Sequence, residues 1–322
     1  MSQFFYVFLF VVMFPLADAY GQACCSAGTP LLGSLDIGAT PEQSIHFALT
    51  YDHNLLKDVL SGQQIIEGNR QRLSQSLLLE SAYGIDDHWS ISAIFSFIQQ
   101  QRRLNTENSF NSREELTTRG LGDAVIMIKY NLQPLNLLRQ RQIAIGLGVK
   151  MPTGRSDLRW NGILLPADMQ PGSGAWDGIA WAYFYQGFLP VTRINFFMNS
   201  SYRFTGTNNR FRLQDGPFKG YQFGNEWLTT GGISYRTDHF LDYTVLLRYR
   251  FLQADQFTGA KVANTGGHWL YLLPGINWNS GDFSLRLTGQ IPVYRRLVGV
   301  QLTTSYSASL ALFYTFSLKQ NP

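Results

Sequence analysis

The chain has 322 residues, of which 45% are hydrophobic, 14% aromatic and only 15% charged, with a formal net charge of +4. Soluble domains carry roughly 25% charged residues, so this composition argues against a pair of ordinary soluble domains. The positive balance is too small and too scattered for a nucleic-acid-binding surface.

From the amino terminus, the longest continuous apolar run is Phe4 to Leu16, too short to cross a bilayer as a helix. Ala17-Asp18-Ala19 follows with small-x-small character, so residues 1–19 read as a secretory signal peptide, with Ala23 as the alternative cleavage site. The two cysteines, Cys24 and Cys25, are adjacent. An ordinary disulfide between neighbours is strained. Tyr20-Gly21-Gln22-Ala23 lacks the leucine expected before a lipid-modified cysteine. As candidate metal ligands the pair lacks the further donors that complete a site. Residues 20–42 carry no sustained period and read as a periplasmic lead-in or a small plug.

From residue 43 to 316 one pattern repeats about twelve times: some ten residues of apolar/polar alternation, then a break. In Ser44–Asp52, Ile45, Phe47, Leu49 and Tyr51 alternate with polar or small neighbours. Strands are expected near 44–53, 71–83, 89–102, 120–132, 142–151, 175–187, 192–204, 221–235, 241–253, 267–278, 283–295 and 301–316. Short connections such as Gly84–His88, with Asp86-Asp87, and Asn279–Asp282 carry turn residues. They alternate with longer connections near 54–70, 103–119, 152–174, 205–220 and 254–266. Strands of about 9–11 residues span a bilayer, and only a closed barrel does so without unpaired backbone groups. The expected fold is therefore all-β: a transmembrane antiparallel barrel of about twelve strands in the outer membrane of a Gram-negative bacterium, with residues 317–322 as a tail.

The cost of a lipid-facing charge fixes the phase. At mid-bilayer an arginine or lysine costs about 2–4 kcal/mol, so Arg248 and Arg250 must point inward and Tyr243, Val245, Leu247, Tyr249 and Phe251 outward. The same phase sends Glu80, Asp123, Lys129, Lys150, Arg203, Glu226, Asp242 and Arg286 into the lumen. Six bases against four acids suggest a polar conduit with a mild positive bias, or else paired charges that fill it.

At strand ends, Gly120-Leu121-Gly122-Asp123 opens a strand that ends in Lys129-Tyr130-Asn131-Leu132. Lys150-Met151-Pro152-Thr153-Gly154 closes the next, and Gly172-Ser173-Gly174 with Asp177 begins the one after. Together with Trp269 and Pro274-Gly275, these motifs resemble the outer-membrane transporter family named for the meta-cleavage pathway of phenol degradation, from Ser44 to Phe316. The resemblance implies a barrel that moves hydrophobic or aromatic small molecules and brings no catalytic residues. Read physically, Asp123 and Asp177 stand where they could pair with Lys150 or hold loop backbones. Phe316 is not terminal, a departure from the aromatic end that usually marks barrels for assembly.

Two other functional classes compete with transport. His88-Trp89-Ser90 superficially matches the His-x-Ser pair of a barrel lipase, but His88 falls in a short turn. An adhesin or structural barrel would use its long loops, and the charged one with Arg113, Glu114 and Glu115 specifies no ligand. The loop Asp157–Met169 differs, because Leu158, Trp160, Ile163, Leu164 and Leu165 suggest a fold-in constriction or a greasy point of access. The sequence thus supports a monomeric, passive channel or transporter without a cofactor. Its expected partners are outer-membrane lipids, the barrel-assembly machinery and a small-molecule substrate.

Overall fold

The computed structural model describes residues 38–105, 113–135, 140–188, 193–211, 220–237 and 240–318. The signal peptide, Cys24 and Cys25, most of the lead-in, His239 and residues 319–322 lie outside the described residues. The wall consists of β1 (Ser44–Ser61), β2 (Arg70–Gly84), β3 (Trp89–Asn105) and β4, which runs in two segments, Arg113–Leu121 and Ala124–Gln133. It continues as β5 (Arg141–Met151), β6 (Asp177–Gly187), β7 (Ile194–Phe204), β8 (Glu226–Arg236), β9 (Leu241–Leu252), β10 (Gly267–Ser280), β11 (Phe283–Leu297) and β12 (Val300–Ser317). Each strand pairs antiparallel with its sequence neighbours, and β1 pairs with β12 from Ser44↔Ser317 to Ser61↔Val300, closing a 12-strand barrel. Closure leaves no wall edge with a full row of unpaired N–H and C=O groups.

The alternation places the faces as the arginine argument requires. Val245 and Leu247 are exposed outward, whereas Leu246, Arg248 and Arg250 are buried inside. Leu247→Arg is expected to destabilise the inserted barrel by about 2–4 kcal/mol. Urea unfolding from liposomes checks this, and an unchanged midpoint would place Leu247 off the lipid face.

Two strands are longer than the periodicity predicts, and both extensions lie at the long-loop end. β1 continues from residue 54 to Ser61, because register shifts at Leu55–Leu56 and Leu56–Asp58 interrupt the alternation without ending the ladder. The upper segment of β4 begins at Arg113, where its charges had read as loop. In the opposite sense, the predicted loop over 152–174 is real but not external. Much of it turns into the lumen, with Leu164, Leu165, Met169, Gln170 and Ser173 buried.

The interior is less polar than the inward phase suggests. Leu56, Leu60, Trp269, Tyr271, Leu273 and Leu302 form one buried apolar group, and Leu78, Ile94, Val125, Met127, Ile179 and Trp181 form another. Leu56, Ile94, Val125 and Trp269 are 0% exposed, so this part of the lumen is packed rather than water-filled. Period-two alternation assigns a residue to a face and says nothing about what meets it across the barrel.

Candidate functional site

The inward charges form an ordered arc. Asp123 on the break in β4, Lys150 on β5, Asp177 on β6, Arg203 on β7, Glu226 on β8 and Arg250 on β9 occupy six consecutive walls. Antiparallel register places Lys150 opposite Asp177 and Arg203 opposite Glu226. Lys150 Nζ lies 2.8 Å from Asp123 Oδ2 and 3.0 Å from Asp177 Oδ2. Arg203 is 2.8 Å from Glu226 and 4.0 Å from Asp177, and Arg250 is 2.6 Å from the other oxygen of Glu226. The arc ends with the Arg250 guanidinium 5.1 Å from the centre of the Trp269 ring. With Asp177 included, three cations meet three carboxylates, so the expected positive bias is neutralised along this wall. Lys129 and Glu80 form a separate contact at 4.0 Å, with Lys129 also 4.7 Å from the centre of Trp181.

This arc anchors the inward loop, residues 152–176. Asp123 accepts hydrogen bonds from Gly154 N at 3.0 Å, Ser173 N at 2.8 Å and Ser173 Oγ at 2.7 Å, as well as from Lys150. One carboxylate therefore holds both ends of the loop. The two backbones close up at Gly154 and Gly172, where a Cβ on Gly172 would sit 2.5 Å from the Gly154 carbonyl carbon. Within the loop, the Gln170 side chain donates to Leu158 O and Leu165 O and accepts from Leu158 N. At its tip Asp168 reaches β2, three strands from β5, and pairs with Arg72 there at 2.7 Å, with side chains 8% and 2% exposed. Arg72 was not among the expected lumen residues, although it shares the inward phase of Glu80, eight positions along the same strand. Asp168 lies where no period operates.

A small antiparallel sheet covers the loop: Thr207–Asn208, Tyr221–Gln222, Gln256–Phe257 and Ala260–Lys261. Below it Phe211 and Phe223 pack on Leu164 and Ala167. Of the five apolar loop residues expected to constrict or admit, Leu164 and Leu165 are buried and Leu158 half-buried, whereas Trp160 and Ile163 are on an exposed two-stranded tip.

Asp255 braces this cover, accepting from Tyr221 Oη at 2.6 Å and from Gly224 N at 2.8 Å. Burial pushes the Asp255 carboxyl up to about 6. An elevated carboxyl binds its proton more tightly in the folded cover than in the unfolded chain. The cover is therefore expected to gain stability as pH falls through 6 and to lose it as pH rises, by on the order of 3 kcal/mol in total. Proteolysis of the cover should be slower at pH 5 than at pH 7.5, and Asp255→Asn should abolish the difference. Equal rates in the native protein at both values would contradict this.

Beneath the arc the lumen opens toward the short-turn end. A mouth of about 330 Å³ is lined by Tyr183, Asp242, Asn277, Arg286 and Phe313, among others. It leads to a narrower pocket bounded by Asp52, Leu78, Phe197, Leu246, Arg248 and Leu273. Arg248 is braced by Thr230 at 2.9 Å and Gln290 at 2.8 Å. The lead-in reaches this mouth, with Gln142 donating to Ala39 O at 3.2 Å. His88 hydrogen-bonds the carbonyl of Asn131 at 2.8 Å, not Ser90, which is buried on the lumen side.

The sequence matches no family model and no curated protein. Among solved structures, the chain is similar to an outer-membrane channel from Pseudomonas putida F1, with a TM-score of 0.68 and 13% identity over 87% of this chain and 98% of that one. It also aligns with the β domain of the Bordetella autotransporter BrkA, with a TM-score of 0.46 and 8% identity over 85% and 100% of the two chains. The CymD monoaromatic hydrocarbon channel aligns with a TM-score of 0.41 and 10% identity over 87% and 90%. The last two likenesses are too slight to carry an argument. The first, at its low identity, establishes the fold: a closed, all-β barrel of the outer-membrane type.

Proposed function

We propose that this chain is a passive outer-membrane channel of a Gram-negative envelope, exported by the signal at residues 1–19 and admitting small apolar or aromatic molecules. The observation that carries the reading is the barrier. The external half of the lumen is closed by a loop anchored through ion pairs and one shared carboxylate, beside apolar side chains of the wall, and a chamber lies beneath it. Such a loop can leave the lumen while the interstrand ladder stays intact. The outward apolar face supports a membrane setting, and the barrel's likeness in fold to an outer-membrane channel is consistent with it. By the usual rule the short-turn end is periplasmic, so the chamber faces the periplasm. Outer-membrane lipids surround it, barrel-assembly machinery inserts it, and it works as a monomer.

Uptake of 1-N-phenylnaphthylamine, a hydrophobic dye that an intact outer membrane excludes, tests the reading. Cells making this protein should take up the dye several-fold faster than cells making an unrelated barrel, and an uncoupler should not slow them. Equal rates would remove passive transport of apolar molecules as the function.

A further inference from the structure

Arg286 differs from the cations of the arc. No carboxylate lies within ion-pairing distance of it among the described residues, although Arg72, Lys150, Arg203 and Arg250 each have one. Its Nε donates to Asn277 Oδ1 at 2.8 Å, and its guanidinium carbon lies 5.0 Å from the centre of the Phe313 ring. Those two contacts fix the plane of the fork without consuming its terminal NH₂ groups. Arg286 and Phe313 are the two side chains common to the mouth and the narrower pocket, so the fork stands at the neck between them.

A planar, oriented guanidinium suits an oxyanion with two oxygens in one plane. The mouth beside it, at about 330 Å³, offers the ring of Tyr183 to a flat apolar body, while the buried Phe313 stacks on His46 and backs the guanidinium. Three acids face the same chamber, Asp242 and Asp282 in the mouth and Asp52 in the narrower pocket. Asp242 accepts from Asn279 at 2.8 Å and Asp52 from Ser307 at 3.0 Å. Their charge disfavours a ligand with more than one negative group. We infer that the neck of the chamber is a binding site for a small aromatic monocarboxylate, whose carboxylate meets the Arg286 fork while its ring lies against Tyr183. The inference rests on the channel reading for its physiological meaning, but the site itself does not require conduction.

Calorimetry on the refolded, heat-modifiable protein in detergent tests it, with benzoate and neutral benzyl alcohol as probes. Benzoate should bind more tightly than the alcohol. Arg286→Gln should weaken benzoate about tenfold or more, since a charge-assisted pair is lost, and should leave the alcohol unaffected. Arg286→Lys, which keeps the charge and loses the fork, should fall between. Should Arg286→Gln fail to refold, Asn277→Leu removes the brace alone and should weaken benzoate several-fold. Benzoate binding that is absent in the native protein, matched by benzyl alcohol, or indifferent to both substitutions would overturn the site. Dye uptake without benzoate binding removes this inference and leaves the channel. Arginine-dependent benzoate binding without dye uptake removes the channel and leaves the site.

Discussion

Replacing Asp123 with alanine is expected to free the inward loop while the barrel persists. The carboxylate gathers Lys150, the N–H groups of Gly154 and Ser173 and the Ser173 hydroxyl, so its loss unties both ends of the loop at once. Lys150 keeps Asp177 as a partner at 3.0 Å, yet the buried N–H groups have no replacement acceptor. Removing one member of a buried charged set typically costs about 3–5 kcal/mol. The interstrand ladder of β3–β6 is formed by backbone groups and does not pass through this side chain. The variant should remain heat-modifiable on gels, and protease should cut within 155–170 much faster than in the native protein. A variant as resistant as the native chain would show that Asp123 does not hold the loop.

The second large effect concerns the loop's tip. Arg72 and Asp168 are almost wholly buried and 2.7 Å apart, so either Arg72→Leu or Asp168→Leu removes the ion pair and leaves a buried charge without its nearest counter-charge. Each single change should loosen the docked loop by about 3–5 kcal/mol. The double variant should be much less disturbed, because two apolar side chains of suitable size replace the pair without an orphaned charge. Hydrogen exchange of the amides around Met169 reads the docking free energy. Additive losses in the double variant would show that the two groups act separately.

The wall was legible because lipid enforces it. Placing Arg248 and Arg250 inward sets the phase of β9, and the same logic places Lys150 and Arg203 inside. The motif around Asp123, Lys150, Ser173 and Asp177 also stood out, with the carboxylates already facing either lysine or loop backbone as partners. Their joint geometry was not legible, since a loop's path carries no period. Asp168 sits in a three-residue turn of 3₁₀ helix, and Asp255 lies between the end of β9 and the first short strand of the cover that follows it. No local spacing ties Asp168 to Arg72, 96 residues away. The extension of β1 past residue 53 was hidden for another reason. A bulge near Leu56 moves the inward set out of phase, so Leu56, Val59 and Leu60 read as an irregular stretch instead of a buried one. The apolar lumen followed neither rule, because Leu56 of β1 joins Trp269 and Leu302 only once β1 pairs with β12 and the barrel closes.

The anchored loop is expected to be the barrier to an otherwise continuous path. Single-channel recording in a planar bilayer, comparing the refolded native protein with Asp123→Ala, tests this most directly. The native barrel should give rare, small steps, and the variant frequent ohmic steps of larger amplitude. Silent traces from a variant whose loop is demonstrably cleaved by protease would contradict the account, since the lumen would then be closed by its packed wall and not by the loop.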